Sequence, residues 1–402
     1  MSRIDELIKE LAPKGVPFKR LGEVAQIASV RAEVSKLDAH TYVGVDNLLP
    51  NFGGRKDSDY GANSSGAIRF QPGDILIGNI RPYLKKVWLA DRDGGASPDV
   101  LTISLLPTWC DQLIPRFLYF VIASDGFIAY SMQNAKGAKM PRGDKAATMN
   151  YRIPMPPLEV QREIVRILDQ FTELEAELEA ELEARRRQYA FYRDQLLTFP
   201  EAGVRRIPMG ELATIVRGAS PRPIQAFITD DPDGVPWIKI GDVAAGGKYI
   251  TTTGERITAA GAAKSRRVHP GDFVLSNSMS FGRPYISKIE GCIHDGWLSI
   301  SRIEESFLPD FLYHLLRSAP VQADFARNVG TSSVSNLNSE TVKSIVVPVP
   351  PLDEQRQIAV ILDKFDALVN DLSVGLPAEL NARRQQYEYY RDKLLTFEEA
   401  AA

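Results

Sequence analysis

From Leu158 onward the apolar residues stand three and four apart, at Leu158, Ile164, Ile167, Leu168, Phe171, Leu174, Leu178 and Leu182, with charged residues between them. This spacing predicts a long amphipathic helix, because one turn takes about 3.6 residues. A second stripe, at Ile358, Ile361, Leu362, Phe365, Leu368 and Leu372, predicts the same near the C-terminus. Residues 173 to 184 read ELEAELEAELEA, with leucines four apart. Such a stripe drifts by about 40° per step, which suits a short helix contact better than a long coiled coil. The second stripe meets Gly375 and Pro377. Proline is tolerated in a first helical turn but not in an interior, so this helix is expected to kink or restart near Leu376. Elsewhere the apolar runs are short. Asp74 to Ile77 and Asp272 to Leu275 follow Pro-Gly turns and read as strands, while Ile114 to Ser124 and Leu308 to Ser318 read as amphipathic helices. The mixture predicts α+β modules with small twisted sheets.

The stripes belong to a repeat. PMPPLEVQREIVRILDQF at 154 to 171 returns as PVPPLDEQRQIAVILDKF at 348 to 365, with eleven of eighteen positions identical. ARRRQYAFYRDQLLTF at 184 to 199 returns as ARRQQYEYYRDKLLTF at 382 to 397, with twelve of sixteen identical. The offset grows from 194 to 198, so the second copy holds four extra residues. The regions between them also begin alike, GVPFKRLGEVA at Gly15 against GVRRIPMGELA at Gly203. PGDILIGNIRPY at 72 parallels PGDFVLSNSMSFGRPY at 270, which places Arg81-Pro82-Tyr83 opposite Arg283-Pro284-Tyr285. The chain therefore divides into an N-terminal helix at 1–14, a module at 15–153, a central helical segment at 154–199, a second module at 200–347 and a distal helical segment at 348–402.

Charge separates these segments. The 402 residues carry a net charge of −3. Residues 15 to 153 hold 17 basic and 13 acidic groups, residues 200 to 347 hold 16 and 15, and each helical copy, 157 to 199 and 351 to 402, holds 6 and 10. The excess of cations lies in the modules, so the acidic whole does not exclude a nucleic-acid partner. No apolar run is long enough to span a membrane, the N-terminus lacks a signal-peptide core, and Cys110 and Cys292 are the only cysteines. These features fit a cytoplasmic chain.

Catalytic constellations are missing. There is no Walker phosphate loop, no nucleophile elbow, and no Asn/Asp-Pro-Pro-aromatic string of amino-methyltransferases. His40, His269, His294 and His314 form no metal spacing with the two cysteines. The chain reads as no enzyme, and it is expected to bind no metal or cofactor of its own.

The polar residues near turns fit duplex reading, in which cations position phosphates and hydrogen-bonding groups read base edges. In the first module these are Asn79, Arg81, Lys85 and Lys86, and then Lys136, Lys139, Arg142 and Lys145 in a glycine-containing loop. The second module offers Arg217, Arg222, Lys264, Arg266, Arg267, Asn277, Arg283, Asn328, Thr331 and Ser332. A solvated basic loop is the plain alternative for the Lys139 cluster. Tyr189, Tyr192, Arg193, Tyr387, Tyr390 and Arg391 either face a protein partner or pack the helices on each other.

The doubled P-x-P-P-L-x-x-Q-R-x-I-x-x-I-L-D-x-F and A-R-R-x-Q-Y-x-x-Y-R-D-x-L-L-T-F motifs, which flank two unlike modules, closely resemble the specificity subunit of type I restriction-modification enzymes. The resemblance covers essentially the whole chain. It implies two α/β target-recognition domains separated by long helices packing as an antiparallel coiled coil, with pseudo-two-fold internal symmetry. Each domain is then expected to read one half of a bipartite, asymmetric double-stranded DNA target. The helices would dock two methyltransferase subunits, with restriction and translocase subunits completing the enzyme. S-adenosylmethionine, ATP and Mg belong, on this reading, to those partners. Two rivals stay open: the DNA-recognition subunit of a type II methyltransferase-nuclease, and a coiled-coil adaptor that binds no DNA.

Overall fold

The computed structural model describes residues 3–59, 66–201, 203–243, 246–277, 281–328 and 337–400. The chain forms two compact units: Met1–Ala176 with Ala382–Ala402, and Glu177–Asn381. The central helix, Leu158–Leu196, runs unbroken for 39 residues. Its first half belongs to the first unit and its second half to the second, so the helical segments are shared between units.

In the first unit the short N-terminal helix Arg3–Leu11 buries Ile4 in the core. An antiparallel sheet takes the order Ala25–Ile27, Val100–Leu105, Ile75–Gly78, Val87–Leu89. Ile75–Gly78 is buried along its whole length, because a helix covers one face and a smaller sheet element the other. The strand starts after Gly73, whose φ of +92° closes a turn that other residues rarely adopt. Helix Pro115–Ile122 uses its proline in the first turn and contributes Phe117, Leu118 and Phe120 to the core.

The second unit repeats this order with Thr214–Arg217, Trp297–Ser301, Phe273–Ser276 and Pro284–Ser287, and adds Tyr249–Ile250 in parallel. A second five-stranded sheet packs within the same unit. Helix Pro309–Leu316 corresponds to Pro115–Ile122.

A pair of helical segments completes each unit in the same way. In the first, Phe171 stacks with Tyr390 at 5.7 Å and meets Tyr387 at 6.3 Å, while Arg384 Nε lies 2.5 Å from Glu175, which defines antiparallel packing. In the second, Phe365 stacks with Tyr192 at 5.6 Å and with Tyr189 at 6.4 Å. The repeated glutamine of the first motif explains its own recurrence. Gln161 accepts from Ile114 N–H at 2.9 Å and donates to Gln112 O and Pro156 O. Gln355 accepts from Leu308 N–H at 2.9 Å and donates to Ser306 O and Pro350 O. Both are fully buried, and each fastens a helix start to the turn before the module's covering helix.

The distal helix breaks where Gly375 and Pro377 predict. Leu352–Asn370 ends, and Leu376–Leu394 restarts with Pro377 in its first turn. A Cβ on Gly375 would lie 2.4 Å from Ala367 O, so only glycine fits this junction. In the first unit the chain's ends also meet, since Val16 N–H donates to Glu398 O at 2.8 Å and Ala400 N–H to Val16 O at 3.0 Å.

One alignment drawn from the sequence is overturned. Strand pairing sets Leu76 opposite Trp88 and Val274 opposite Tyr285, so Tyr285 takes the place of Trp88 rather than Tyr83. Gly78 N–H bonds Lys86 O, as Ser276 N–H bonds Arg283 O. Arg283 therefore corresponds to Lys86. Arg81 leads into a one-turn 3-10 helix, Pro82–Leu84, that carries Tyr83 between strands, 48% exposed, whereas Pro284 and Tyr285 lie in a strand, with Tyr285 6% exposed. A three-residue string matched while its structural setting did not.

Candidate nucleic-acid interface

The two basic segments of the first module, far apart in sequence, fold against each other. Arg81 N–H donates to Pro141 O at 2.7 Å, and Gly143 N–H donates to Asn79 O at 3.0 Å. Gly143 permits that approach, because a Cβ there would stand 2.6 Å from Asn79 Oδ1. Lys136 and Arg142 exchange backbone hydrogen bonds of 2.9 and 2.8 Å, so the loop folds into a miniature hairpin with Lys139 near its tip. The side chains then divide. Lys139 and Lys145 are exposed and make no ion pair among the described residues. Lys136 reaches Asp144 at 2.6 Å, and this contact holds the Asp144 carboxyl below its usual range. Asp144 also caps helix Lys145–Asn150 by accepting from Ala146 and Ala147 N–H. Arg142 Nη2 lies 3.3 Å from Asp99 Oδ1, with the arginine 59% exposed.

Two expected DNA contacts in this module face inward. Lys85 Nζ bonds Asp125 Oδ1 at 2.6 Å, and Lys86 Nζ bonds Val45 O at 2.7 Å. Their ammonium groups hold loops together instead of standing open. Asp125 also takes Arg391 Nη2 at 3.1 Å, so the distal helix braces the loop that carries Asn79 and Arg81.

In the second module one carboxylate organises the cluster. Asp295, which the sequence reading missed, accepts from Ser220 Oγ at 2.7 Å, with Arg222 Nη2 at 3.5 Å. Its carbonyl accepts from Arg217 Nε at 2.9 Å and from Asn277 Nδ2 at 2.9 Å. The Ser220 hydrogen bond holds the Asp295 carboxyl below its ordinary range, and burial does the same to the neighbouring His294 imidazole. Arg222, Lys239, Trp237, His294 and Asp295 line an open groove of about 430 Å³. No sequence spacing announces this group, because a strand end, a loop and a strand-joining turn each supply part of it.

The remaining nominated residues lie elsewhere. Asn277 is 2% exposed and is a framework residue. Lys264 stands over the Phe227 ring at 4.8 Å, and Arg267 pairs with Glu290 at 2.8 Å. Arg266 is exposed on the same strand, and Arg283 is exposed beside its own strand start. Asn328 ends helix Ala319–Asn328, while Thr331 and Ser332 lie outside the described residues.

The six interface candidates on the helices resolve unevenly. Tyr189 is 3% exposed and its hydroxyl bonds His314 Nδ1 at 3.0 Å; Arg391 is 1% exposed. Both are packing groups, and burial leaves them no surface for a partner. Tyr387 and Arg193 are largely covered, whereas Tyr192 and Tyr390 keep 37% and 38% of their surface. Among the described residues no cluster of three or more His, Cys, Asp or Glu could hold a metal, and no helix is long and apolar enough to cross a membrane.

Comparison with known proteins places this geometry. The family model described as the type I restriction modification DNA specificity domain matches twice, over residues 13–184 and 203–382. The chain is 34% identical over 250 residues to the EcoR124I/EcoR124II type I restriction enzyme specificity subunit of Escherichia coli, an alignment covering 61% of each chain. This alignment thus spans less than two thirds of that relative. A type I specificity subunit of Haemophilus influenzae, described as putative, is 31% identical over 299 residues, covering 71% of this chain and 73% of its own. The fold also matches a chain solved in a study of the complex assembly and conformational transition of the type I R-M system. There the TM-score is 0.67 at 21% identity, over 95% of this chain and 97% of that one.

Proposed function

The chain belongs to the type I restriction modification DNA specificity family, and on that premise we propose that it reads a bipartite, asymmetric DNA target and directs methyltransferase and restriction subunits to it. One observation carries the reading. The two units share a sheet order, yet each sheet ends in a polar cluster built from different residues, around Arg142 in one and Asp295 in the other. Like scaffolds with unlike clusters fit two unlike half-sites. The chain itself does no chemistry on this reading; S-adenosylmethionine, ATP and Mg act on partner subunits. Exposed apolar residues on the helices, including Leu174, Phe191, Val360, Ile361 and Tyr389, favour docking of those partners.

The test is to coexpress the chain with its methyltransferase subunit and sequence the methylome. One bipartite motif with two different halves is expected. Absence of any motif, or DNA binding that does not weaken as salt rises, refutes the proposal and favours a protein adaptor, because a reader neutralising several phosphates releases counterions. Copurifying subunits separate a type I assembly from a type II fusion.

A further inference from the structure

The cations around the first unit's loop differ in how firmly they are held, and the difference assigns them different tasks. Lys139 and Lys145 are exposed ammonium groups on long stems, with no ion pair among the described residues. Such groups suit phosphates, which need charge but little direction. Arg142 is restrained at three points. Its N–H and C=O both bond Lys136, it forms a backbone bridge with Ile80, and Asp99 holds one of its guanidinium nitrogens. Asp99 is anchored in turn, since its carbonyl accepts from Asn79 N–H at 3.0 Å and it directly precedes strand Val100–Leu105. The backbone that carries the fork is thus held at both sides, while the single 3.3 Å ion contact with Asp99 biases the direction of an exposed guanidinium and leaves most of its donors free.

The corresponding turn of the second unit also carries an aspartate beside arginines, built differently. Asp295 sits in the turn before Trp297–Ser301, the strand that corresponds to Val100–Leu105; its backbone carbonyl accepts from Arg217 Nε, and its carboxylate meets Arg222 at 3.5 Å. The local sequences, SPDV and HDGW, do not align. Strand register sets Asp99 at the place of Gly296, since Asn79 N–H donates to Asp99 O as Asn277 N–H donates to Gly296 O, so the two aspartates stand one residue apart in corresponding turns.

Resting on the DNA-reading function proposed above, we propose that Arg142 reads a guanine in the major groove of the half-site bound by the first unit, with Asp99 as its positioning residue. Guanine offers the paired O6 and N7 acceptors that match an arginine fork, whereas thymine and cytosine lack that pair and adenine replaces one acceptor with a donor. Lys139 contacts phosphate and contributes no base preference.

The experiment is selection and sequencing of random duplexes by the full chain in complex with its methyltransferase subunit, for wild type, Arg142→Lys, Asp99→Asn and Lys139→Ala. Wild type is expected to prefer guanine at one position of one half-site by roughly five- to 150-fold, the range of one bidentate contact. Arg142→Lys keeps the charge but loses the fork, so this preference collapses while every other position of both halves persists. Asp99→Asn weakens the same position and no other. Lys139→Ala lowers binding to all sequences alike and reduces the salt slope by about one. An unchanged motif in Arg142→Lys, a wild-type half-site without that guanine, or uniform loss across both halves overturns the inference. A wild type that selects no motif overturns the proposed function itself, which separates the two failures.

Discussion

The two units place an aspartate at the same position of the repeated helix, yet each neutralises it by different means. In the first, Asp169 pairs with Arg116 at 2.7 Å, and Phe120 beside it is wholly buried. In the second, Asp310 replaces that arginine, so two carboxylates, Asp310 and Asp363, face one another. Lys248, from the segment before Tyr249–Ile250, answers both at 2.7 and 2.6 Å. The place of Phe120 goes to His314, fully buried, with its Nε2 bonded to Asp363 at 2.8 Å and its Nδ1 to the Tyr189 hydroxyl. Arg317 and Asp366 then pair at 2.7 Å, where the first unit has Ala123 and Thr172. A repeated helix thus dictates where the charge stands, and the module around it is free to choose the partner.

The largest effects probe what the units share. Gln161→Ala and Gln355→Ala should each cost about 3 kcal/mol, since each strands a buried N–H and two carbonyls. Urea unfolding that shows one substitution to be neutral would break the equivalence of the two clamps.

The next test probes where they differ. Lys248 is 11% exposed, whereas Asp310 and Asp363 are 45% and 38% exposed. Lys248→Ala should cost about 2 kcal/mol, less than a fully buried pair because water screens the carboxylates. Arg116→Ala, at a more exposed pair, should cost about 1 kcal/mol or less. Equal losses in thermal denaturation would show that the second unit's network adds nothing.

The smallest effect is a pH dependence. Burial holds the His314 imidazole below its ordinary pKa, against the pull of Asp363. The unfolded chain therefore takes up that proton first, so the stabilising effect of neutral His314 is complete above about pH 6.5 and declines as pH falls towards the lower folded value. Asp363 is drawn below its usual range by its bonds to His314 and Lys248, against the effect of burial. Its own loss therefore comes in more acid solution. Between about pH 7 and 5.5 the slope from His314 should not exceed about 1.4 kcal/mol per pH unit. His314→Phe, which installs the first unit's residue, should remove that part of the slope. Denaturant titrations with the same slope in both proteins would assign the pH dependence to other groups.

Much of the architecture was legible in the residues. Periodicity marked the 39-residue central helix, and Gly375 with Pro377 marked the distal break. Both depend on contacts within a few residues, where helical spacing and proline geometry act directly. The Arg-Pro-Tyr match failed because strand register depends on partners elsewhere in the chain. Lys85, Lys86 and Asn277 read as surface polar groups, and only their distant partners reveal their structural work.

By itself the sequence determined the duplication, the helices, their different continuity and the family. These follow from local periodicity and from motifs long enough to be specific. Tertiary structure alone decided that each helical segment is shared between units, that Lys139 stands open while Lys85 turns inward, and that Asp99 and Asp295 stand beside arginines in corresponding turns. The reason is physical: a side chain's task depends on the charge and space around it, and residues remote in the chain supply both.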